Sequence, residues 1–236
     1  WRPHSWLTGH SQSGKSTMIR IIKAALGNML VHFLKTTTSA GIRQDMRGDS
    51  LAVLYDEADA ETEHLRIIMQ GVVDLARVAS GDDGGVVAKG TTNGDAITWA
   101  IRSSFIMASV SSTLVLESDK TRFEVSELDL NKNAKKTAAD FEAAQAALLT
   151  EGFGARFCAR AIRMATTIRT NAKMFSAALV PILTKQRSSD MHGAMLAGAF
   201  SLESQEVLTP ERAKALVAEY GIEKAKHSED EIKCDE

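Results

Sequence analysis

Near the start of the chain, Gly9-His10-Ser11-Gln12-Ser13-Gly14-Lys15-Ser16-Thr17 follows the pattern G-x-x-x-x-G-K-S/T. Glycines at its first and sixth positions let the backbone turn so that successive N–H groups point inward at an anion. A helix starting directly afterwards adds its positive end. In such a loop Lys15 would reach the terminal phosphates of a nucleotide and the Ser16 hydroxyl would bind Mg²⁺. A second chemical group follows downstream, where the apolar run Leu51 to Tyr55 closes on Asp56-Glu57. One acid past the end of a buried strand can orient Mg²⁺, and a second can polarise an attacking water. Each pattern alone has an ordinary explanation, a glycine-rich turn or an acidic strand end. Their order and spacing together favour hydrolysis of ATP. Glu57 also argues against a small-molecule kinase, whose nucleophile is the substrate's own hydroxyl.

Other residues could complete such a site. Ser109 closes the run Ser104 to Val110, and its hydroxyl could contact a phosphate or the lytic water, or simply satisfy a strand end. Arg122 opens a strand after a polar loop. From there it could project into a neighbouring subunit's site and stabilise charge on the transferring phosphoryl, or pair locally with Asp119 or Glu124. Asp59 and Glu61 are expected to cap the next helix. Between Gly152 and Ser189 there is no acidic residue but seven basic ones, and Arg156, Arg160 and Arg163 share one helix face. That face could meet phosphates of ATP or nucleic acid, acids of a neighbour, or only solvent. Lys89, Arg77 and Asn93 are further places for a DNA contact, whereas Trp99 reads as core.

The flanking patterns are those needed to position these groups. His4 to Thr8 suits a strand and Lys15 to Leu26 a helix, so the glycine loop joins strand to helix. Strands are expected at Leu30–Phe33, Leu51–Tyr55, Ser104–Val110 and Arg122–Leu128, with helices at Ala40–Met46 and Glu61–Ser80. Asn93-Gly94 between two apolar runs signals a β-hairpin. Beyond about residue 131 helical patterns run through 135–150, 154–183, 189–200 and 210–219. This predicts an α/β ATPase core over 1–130, an α-helical domain over 131–222, and a charged, disordered tail over 223–236.

Composition agrees with a globular chain: of 236 residues, 44% are hydrophobic and 25% charged. A net charge of −2 means that any nucleic acid must meet a local basic patch. Cys158 and Cys234 lie far apart and read as reduced thiols, and no apolar run is long enough to span a bilayer. A cytoplasmic setting without membrane is expected. Because the chain opens on Trp1 and reaches the loop at once, it is expected to be part of a longer protein.

In the stretches WRPHSWLTGHSQSGKST, TSAGIRQDM, LAVLYDEAD, VAKGTTNGDAITWAIRSSFIMASV, DKTRFEVSEL and DMHGAMLAGAFSL, the chain resembles phage or prophage replication ATPases. It is similar to the C-terminal motor half of primase–helicase-type proteins. The resemblance implies an additional-strand P-loop fold of the AAA+ or superfamily 3 helicase kind, with a RecA-like parallel sheet between helices. It implies ATP and Mg²⁺ at subunit boundaries of a hexameric ring, in a bacterial or phage-infected cell, and an N-terminal primase-like domain elsewhere in the protein. Carried onto this chain, the phosphate loop is Gly9 to Thr17, the acidic pair Asp56 and Glu57, the sensor Ser109 and the trans arginine Arg122. The hairpin from Lys89 to Asp95 would push on single-stranded or forked DNA, with Arg156 or Arg160 as a second phosphate contact. Such helicases often place asparagine at the sensor, where this strand offers serines, and the hairpin tip here has no basic residue. Two rival functions fit the same motifs: remodelling of protein partners, and an ATP-dependent assembly switch with negligible hydrolysis.

Overall fold

The computed structural model describes residues 2–81, 85–90, 95–128 and 138–222. The tip of the expected hairpin, with Asn93, and the tail from Glu223 lie outside them. The chain divides into two compact units, with the division inside a helix between Arg160 and Ala161.

The first unit is α/β. Its strands are β1 (His4–Thr8), β2 (Leu30–Leu34), β3 (Ala52–Asp56), β6 (Phe105–Ala108) and β7 (Phe123–Glu127). They form one five-stranded sheet in the order β2-β3-β6-β1-β7, and every pairing is parallel. Helices α1 (Lys15–Leu26), α2 (Ser39–Met46) and α3 (Glu63–Ala79) connect the strands. A separate antiparallel pair, β4 (Gly85–Gly90) and β5 (Ala96–Ile101), lies between α3 and β6 in the chain. A short helix α4 (Glu117–Lys120) precedes β7, and α5 (Ala138–Leu148) and α6 (Phe153–Arg163) follow it.

Strand alternation sorts the side chains onto two faces. Trp6, Val53, Tyr55, Phe105, Met107 and Phe123 pack with Ile42 and Met46 of α2 and with the apolar stripe of α3. Leu7, Leu54 and Ala108 face the other way, against Ile19 of α1. Burial on both faces explains why β1, β3 and β6 read as apolar runs. Val87 and Trp99 dock the β4–β5 pair on the larger core, and the Arg43 guanidinium lies 5.5 Å over the Trp99 ring. At the far end of α1, a Cβ on Gly154 would stand 2.5 Å from the Ala24 carbonyl oxygen, so only glycine lets α6 approach this closely. Nearby, the free thiol of Cys158 donates to the carbonyls of Ala25 and Leu26.

His4, the one polar residue buried at the start of β1, carries a pH-dependent share of stability. Its Nδ1 accepts from the Phe105 N–H at 3.1 Å and its Nε2 donates to the Ala76 carbonyl at 2.7 Å, which is the neutral tautomer. Burial lowers its pKa from 6.5 to about 4, and the charges of Arg122 and Arg2 act in the same direction. The unfolded chain therefore takes up a proton as the pH falls through 6.5 while the fold resists until about 4. Stability should drop by roughly 3 kcal/mol across that window. Replacing His4 with glutamine should flatten this part of a urea-denaturation profile measured from pH 7 to pH 4.

The second unit is helical: α7 (Ala165–Leu183), α8 (Gln186–Glu203) and α9 (Pro210–Glu219). The helix expected over 154–183 is interrupted at Met164, which sits outside helical backbone geometry at φ −90°, ψ 1°. β-Branched Thr166 and Thr167 just beyond the break have low helix propensity. Phe175, Leu179, Phe200, Leu216 and Val217 form the core. At Gly193 a Cβ would stand 2.7 Å from the Ser176 backbone nitrogen, so α7 and α8 meet backbone to backbone. Buried Asn171 accepts from the Leu208 N–H and donates to the Glu206 carbonyl, fixing the segment before α9.

Candidate functional site

In an all-parallel sheet the carboxyl ends of the strands share one edge, where ligands of α/β proteins gather. Here that edge carries the loop Gly9 to Gly14 after β1, Lys35 to Thr38 after β2, Asp56 to Asp59 from the last residue of β3 onward, and Ser109 to Ser112 after β6.

The glycine loop has three residues with positive φ: Gly9 at 147°, Gln12 at 69° and Gly14 at 95°. Such reversals turn backbone N–H groups toward a common centre. Gly9 has no alternative, because a Cβ there would stand 2.6 Å from both the Leu128 carbonyl oxygen and Ser13 Oγ. Lys15 Nζ folds back to donate to the Gly9 carbonyl. Gly14 caps α1 without any side-chain bond, and the first turn of the helix holds no acid, so its positive end is uncompensated by the protein. His10, Ser11, Gln12 and Ser16 are exposed, while Ser13 and Thr17 are half-buried. Ser13 Oγ is buried without a hydrogen-bond partner among the described residues.

At the end of β3, Asp56 Oδ1 accepts the Glu57 N–H at 2.8 Å. Glu57 itself adopts φ 54°, left-handed for a non-glycine residue, which turns its side chain outward to within 4.0 Å of Lys35 Nζ. The loop bearing Lys35 is held from below: the Tyr55 hydroxyl contacts the carbonyls of Lys35 and Thr37 at 2.9 Å each. Burial pushes that phenol's pKa up to about 12, so it stays protonated and able to donate.

The backbone of one residue, Val110, joins the two halves of the site. The Val110 carbonyl accepts the Gly9 N–H at 3.2 Å, and the Val110 N–H donates to Asp59 Oδ1 at 2.9 Å. Asp59 therefore ties the acidic turn to the glycine loop and does not cap α3 as its position suggested. The cap is Thr62, whose hydroxyl accepts from the Leu65 N–H. Nothing local to Asp59 in the sequence signals this, since its partner lies across a strand.

Of the two roles open to Ser109, the structure shows the strand-end hydroxyl with its hydrogen bonds satisfied. Its side chain is 1% exposed, accepts the Trp6 indole N–H at 2.6 Å and donates to the Ser111 carbonyl at 2.8 Å. The hydroxyl is spent inside the core, and the exposed hydroxyls at the end of β6 are those of Ser111 and Ser112.

Arg122 sits at the opposite end of the sheet. The start of β7 pairs with the start of β1, Phe123 beside His4, so Arg122 lies about a five-residue strand length, roughly 16 Å, from the glycine loop of its own chain. Its Nε donates to Ser80 Oγ at 3.1 Å and an Nη to the Ser118 carbonyl. Asp119, one of its expected partners, is instead gripped by Arg77, with Nε to Oδ1 at 2.8 Å and Nη2 to Oδ2 at 3.0 Å. That correction also withdraws Arg77 from the DNA-contact candidates. Lys89 is exposed on β4. Arg156 is exposed on α6 but folds back onto the Glu151 carbonyl and Thr150 Oγ1, and Arg160 is half-buried.

No family model matches the chain, and no curated protein matches it. Among solved structures it is similar to the apo structure of the NrS-1 C-terminal region (305–718), at 14% identity and a TM-score of 0.40. That match covers 91% of this chain and 42% of the other, so the chain spans less than half the length of that structure. A likeness this distant assigns neither a family nor an activity.

Proposed function

We propose that the chain is an ATP-hydrolysing P-loop motor domain that works on DNA during replication, as a ring-forming helicase or translocase. The observation that carries the reading is the backbone of Val110, whose carbonyl and N–H hold the glycine loop and the acidic turn side by side at one edge of the sheet. The strand order supports it, because β6 lies between β1 and β3 and so spaces a phosphate loop from an acidic pair by one strand. The oxygen donors fit a nucleotide with Mg²⁺. Ser16 offers an exposed hydroxyl, Asp56 a part-exposed carboxylate and Ser13 an orphaned hydroxyl within the loop. Among the described residues no group of three or more His, Cys, Asp or Glu could hold a metal ion. One carboxylate with one hydroxyl suits Mg²⁺, which keeps its remaining positions for water and phosphate.

In this reading the N–H groups of Gly9 to Thr17 and the Lys15 ammonium hold the phosphates, and Ser16 and Asp56 hold the metal. Mg²⁺ would neutralise charge on the phosphate oxygens. Glu57 orients the attacking water and takes its proton, and Lys35, 4.0 Å away, keeps the Glu57 carboxylate in reach. Ser109 acts through Trp6 and Ser111 on the end of β6. Arg122, too far from its own loop, serves the site of the next subunit in a ring. The exposed Lys89 on β4 and the basic residues of α6 would meet the DNA backbone.

The test is ATP turnover with and without single-stranded DNA, for the wild type, for Arg122→Ala and for mixtures of the two. Stimulation by DNA, with a loss of about 10³-fold or more in the variant and a steeper than proportional fall in mixtures, is the expected result. Turnover indifferent to DNA would move the reading to a remodeller of proteins. Tight ATP binding without turnover would move it to an assembly switch.

A further inference from the structure

The edge strand β2 brings a histidine up to the acid assigned above to the metal, and α1 fixes how that histidine is used. His32 stands opposite Leu54 in the β2–β3 register. Asp56, two residues further along β3, is therefore its diagonal neighbour on the same face, within reach of a long side chain. His32 Nε2 lies 3.7 Å from Asp56 Oδ2, with both side chains 28% exposed. The other ring nitrogen, Nδ1, is 3.0 Å from Lys23 Nζ on α1. An ammonium has only hydrogens to give, so Nδ1 must be the acceptor, and the proton of the neutral imidazole then sits on Nε2, facing the carboxylate. Asp56 Oδ1 is engaged by the Glu57 N–H. Both oxygens of this acid thus face an N–H, one from its own turn and one from a neighbouring strand.

We infer that His32, its tautomer set by Lys23, is a positioning residue that holds the Asp56 carboxylate in the orientation used for divalent-cation binding. The inference rests on the reading of Asp56 as the metal-orienting acid. It has a consequence for coupling: Lys23 belongs to the helix that begins at Lys15, so the phosphate loop and the acidic turn are joined by side chains as well as through the backbone of Val110. At 3.7 Å and with part exposure the contact is weaker than a tight outer-shell hydrogen bond, whose loss lowers metal affinity by about 10–100-fold. A loss of about 5–10-fold is expected.

The experiment is a Mn²⁺ titration followed by electron paramagnetic resonance, on the whole chain with a non-hydrolysable ATP analogue present. ¹⁵N NMR of the imidazole is recorded on the protein without metal. Variants are His32→Ala, His32→Gln, Lys23→Ala, Asp56→Asn and, as a control, the exposed His64→Ala. His32→Ala should weaken Mn²⁺ binding by about 5–10-fold while leaving metal-free nucleotide affinity unchanged. His32→Gln, which restores an N–H donor, should bring binding back to within about 2-fold, an outcome that a role in folding alone would not produce. The wild-type ring should show the Nε2–H tautomer, and Lys23→Ala should mix the two. Mn²⁺ affinity unchanged in His32→Ala but weakened in Asp56→Asn would overturn this inference alone, as would a ring protonated on Nδ1. Affinity unchanged in Asp56→Asn would overturn the underlying assignment of Asp56.

Discussion

Glu57→Gln is expected to reduce phosphate release by about 10²–10⁴-fold, the range attributable to a general base, while ATP remains bound. The substitution removes the only chemical property that distinguishes this side chain in the proposed mechanism, its capacity to accept a proton. It leaves the rest of the turn alone. The amide has the same shape, the backbone N–H still reaches Asp56 Oδ1, and φ stays at 54°. Stability should therefore remain within about 0.5 kcal/mol of wild type, as for an exposed position. The left-handed backbone makes the control informative. A non-glycine residue there costs about 1–2 kcal/mol, a strain that both side chains carry equally. Nucleotide binding and melting temperature thus stay fixed while turnover collapses, and single-turnover phosphate release is the measurement that shows it. A variant that keeps turnover within a few-fold of wild type would remove Glu57 from the mechanism.

Arg77→Ala should markedly destabilise the fold of the first unit. Asp119 is 1% exposed, and both its carboxylate oxygens are bonded to the Arg77 guanidinium. Truncating the arginine leaves a buried charge uncompensated, which typically costs about 3–5 kcal/mol. The Arg77 end is about one-third exposed, so water can follow the truncated side chain inward, and the lower end of that range, about 3 kcal/mol, is expected. For a chain of this size that is about 6–12 °C in melting temperature. Arg77→Lys should recover only part, because an ammonium cannot reproduce the two-bond fork. The double variant Arg77→Met, Asp119→Leu should recover most of it, because no charge then remains buried. A second readout follows from geometry. The Asp119 carbonyl accepts the Arg122 N–H at 2.8 Å, so the turn fixed by this ion pair is the one from which Arg122 emerges. Turnover in the assembled protein should fall along with stability, and Arg77→Lys should separate the two effects.

The residues that do local work were legible from the sequence. β1 and α1 end where the reading of the chain placed them, at Thr8 and Leu26. The first reflects an apolar run and the second a helical period closed by Gly27-Asn28. In the loop between them the two glycines announced positive φ, whereas Gln12, the third such residue, carries no signal of it. β3 ends on Asp56, one residue beyond the reading, because a run buried on both faces is recognisable at any point in a chain while its last residue is not.

What escaped the reading depended on partners distant in sequence. The resemblance implied an additional-strand sheet, but which strand lies between β3 and β1 is decided when whole faces pack against α1 and α3. From that placement follow the inward Ser109, whose hydroxyl meets Trp6, and the backbone of Val110, which reaches Gly9 and Asp59. Arg77 looked like a surface cation on α3 until Asp119, 42 residues later, was brought beneath it. His32 was one polar residue in a strand until register set it diagonal to Asp56 and α1 set Lys23 beside it. The sequence by itself determined which groups could do chemistry and which segments present them, because glycine turns, apolar periodicity and strand ends are properties of neighbouring residues. Only the tertiary structure decided which of those groups face one another. Hydrogen bonding and burial reward proximity in space, and that proximity is set by strand order and register.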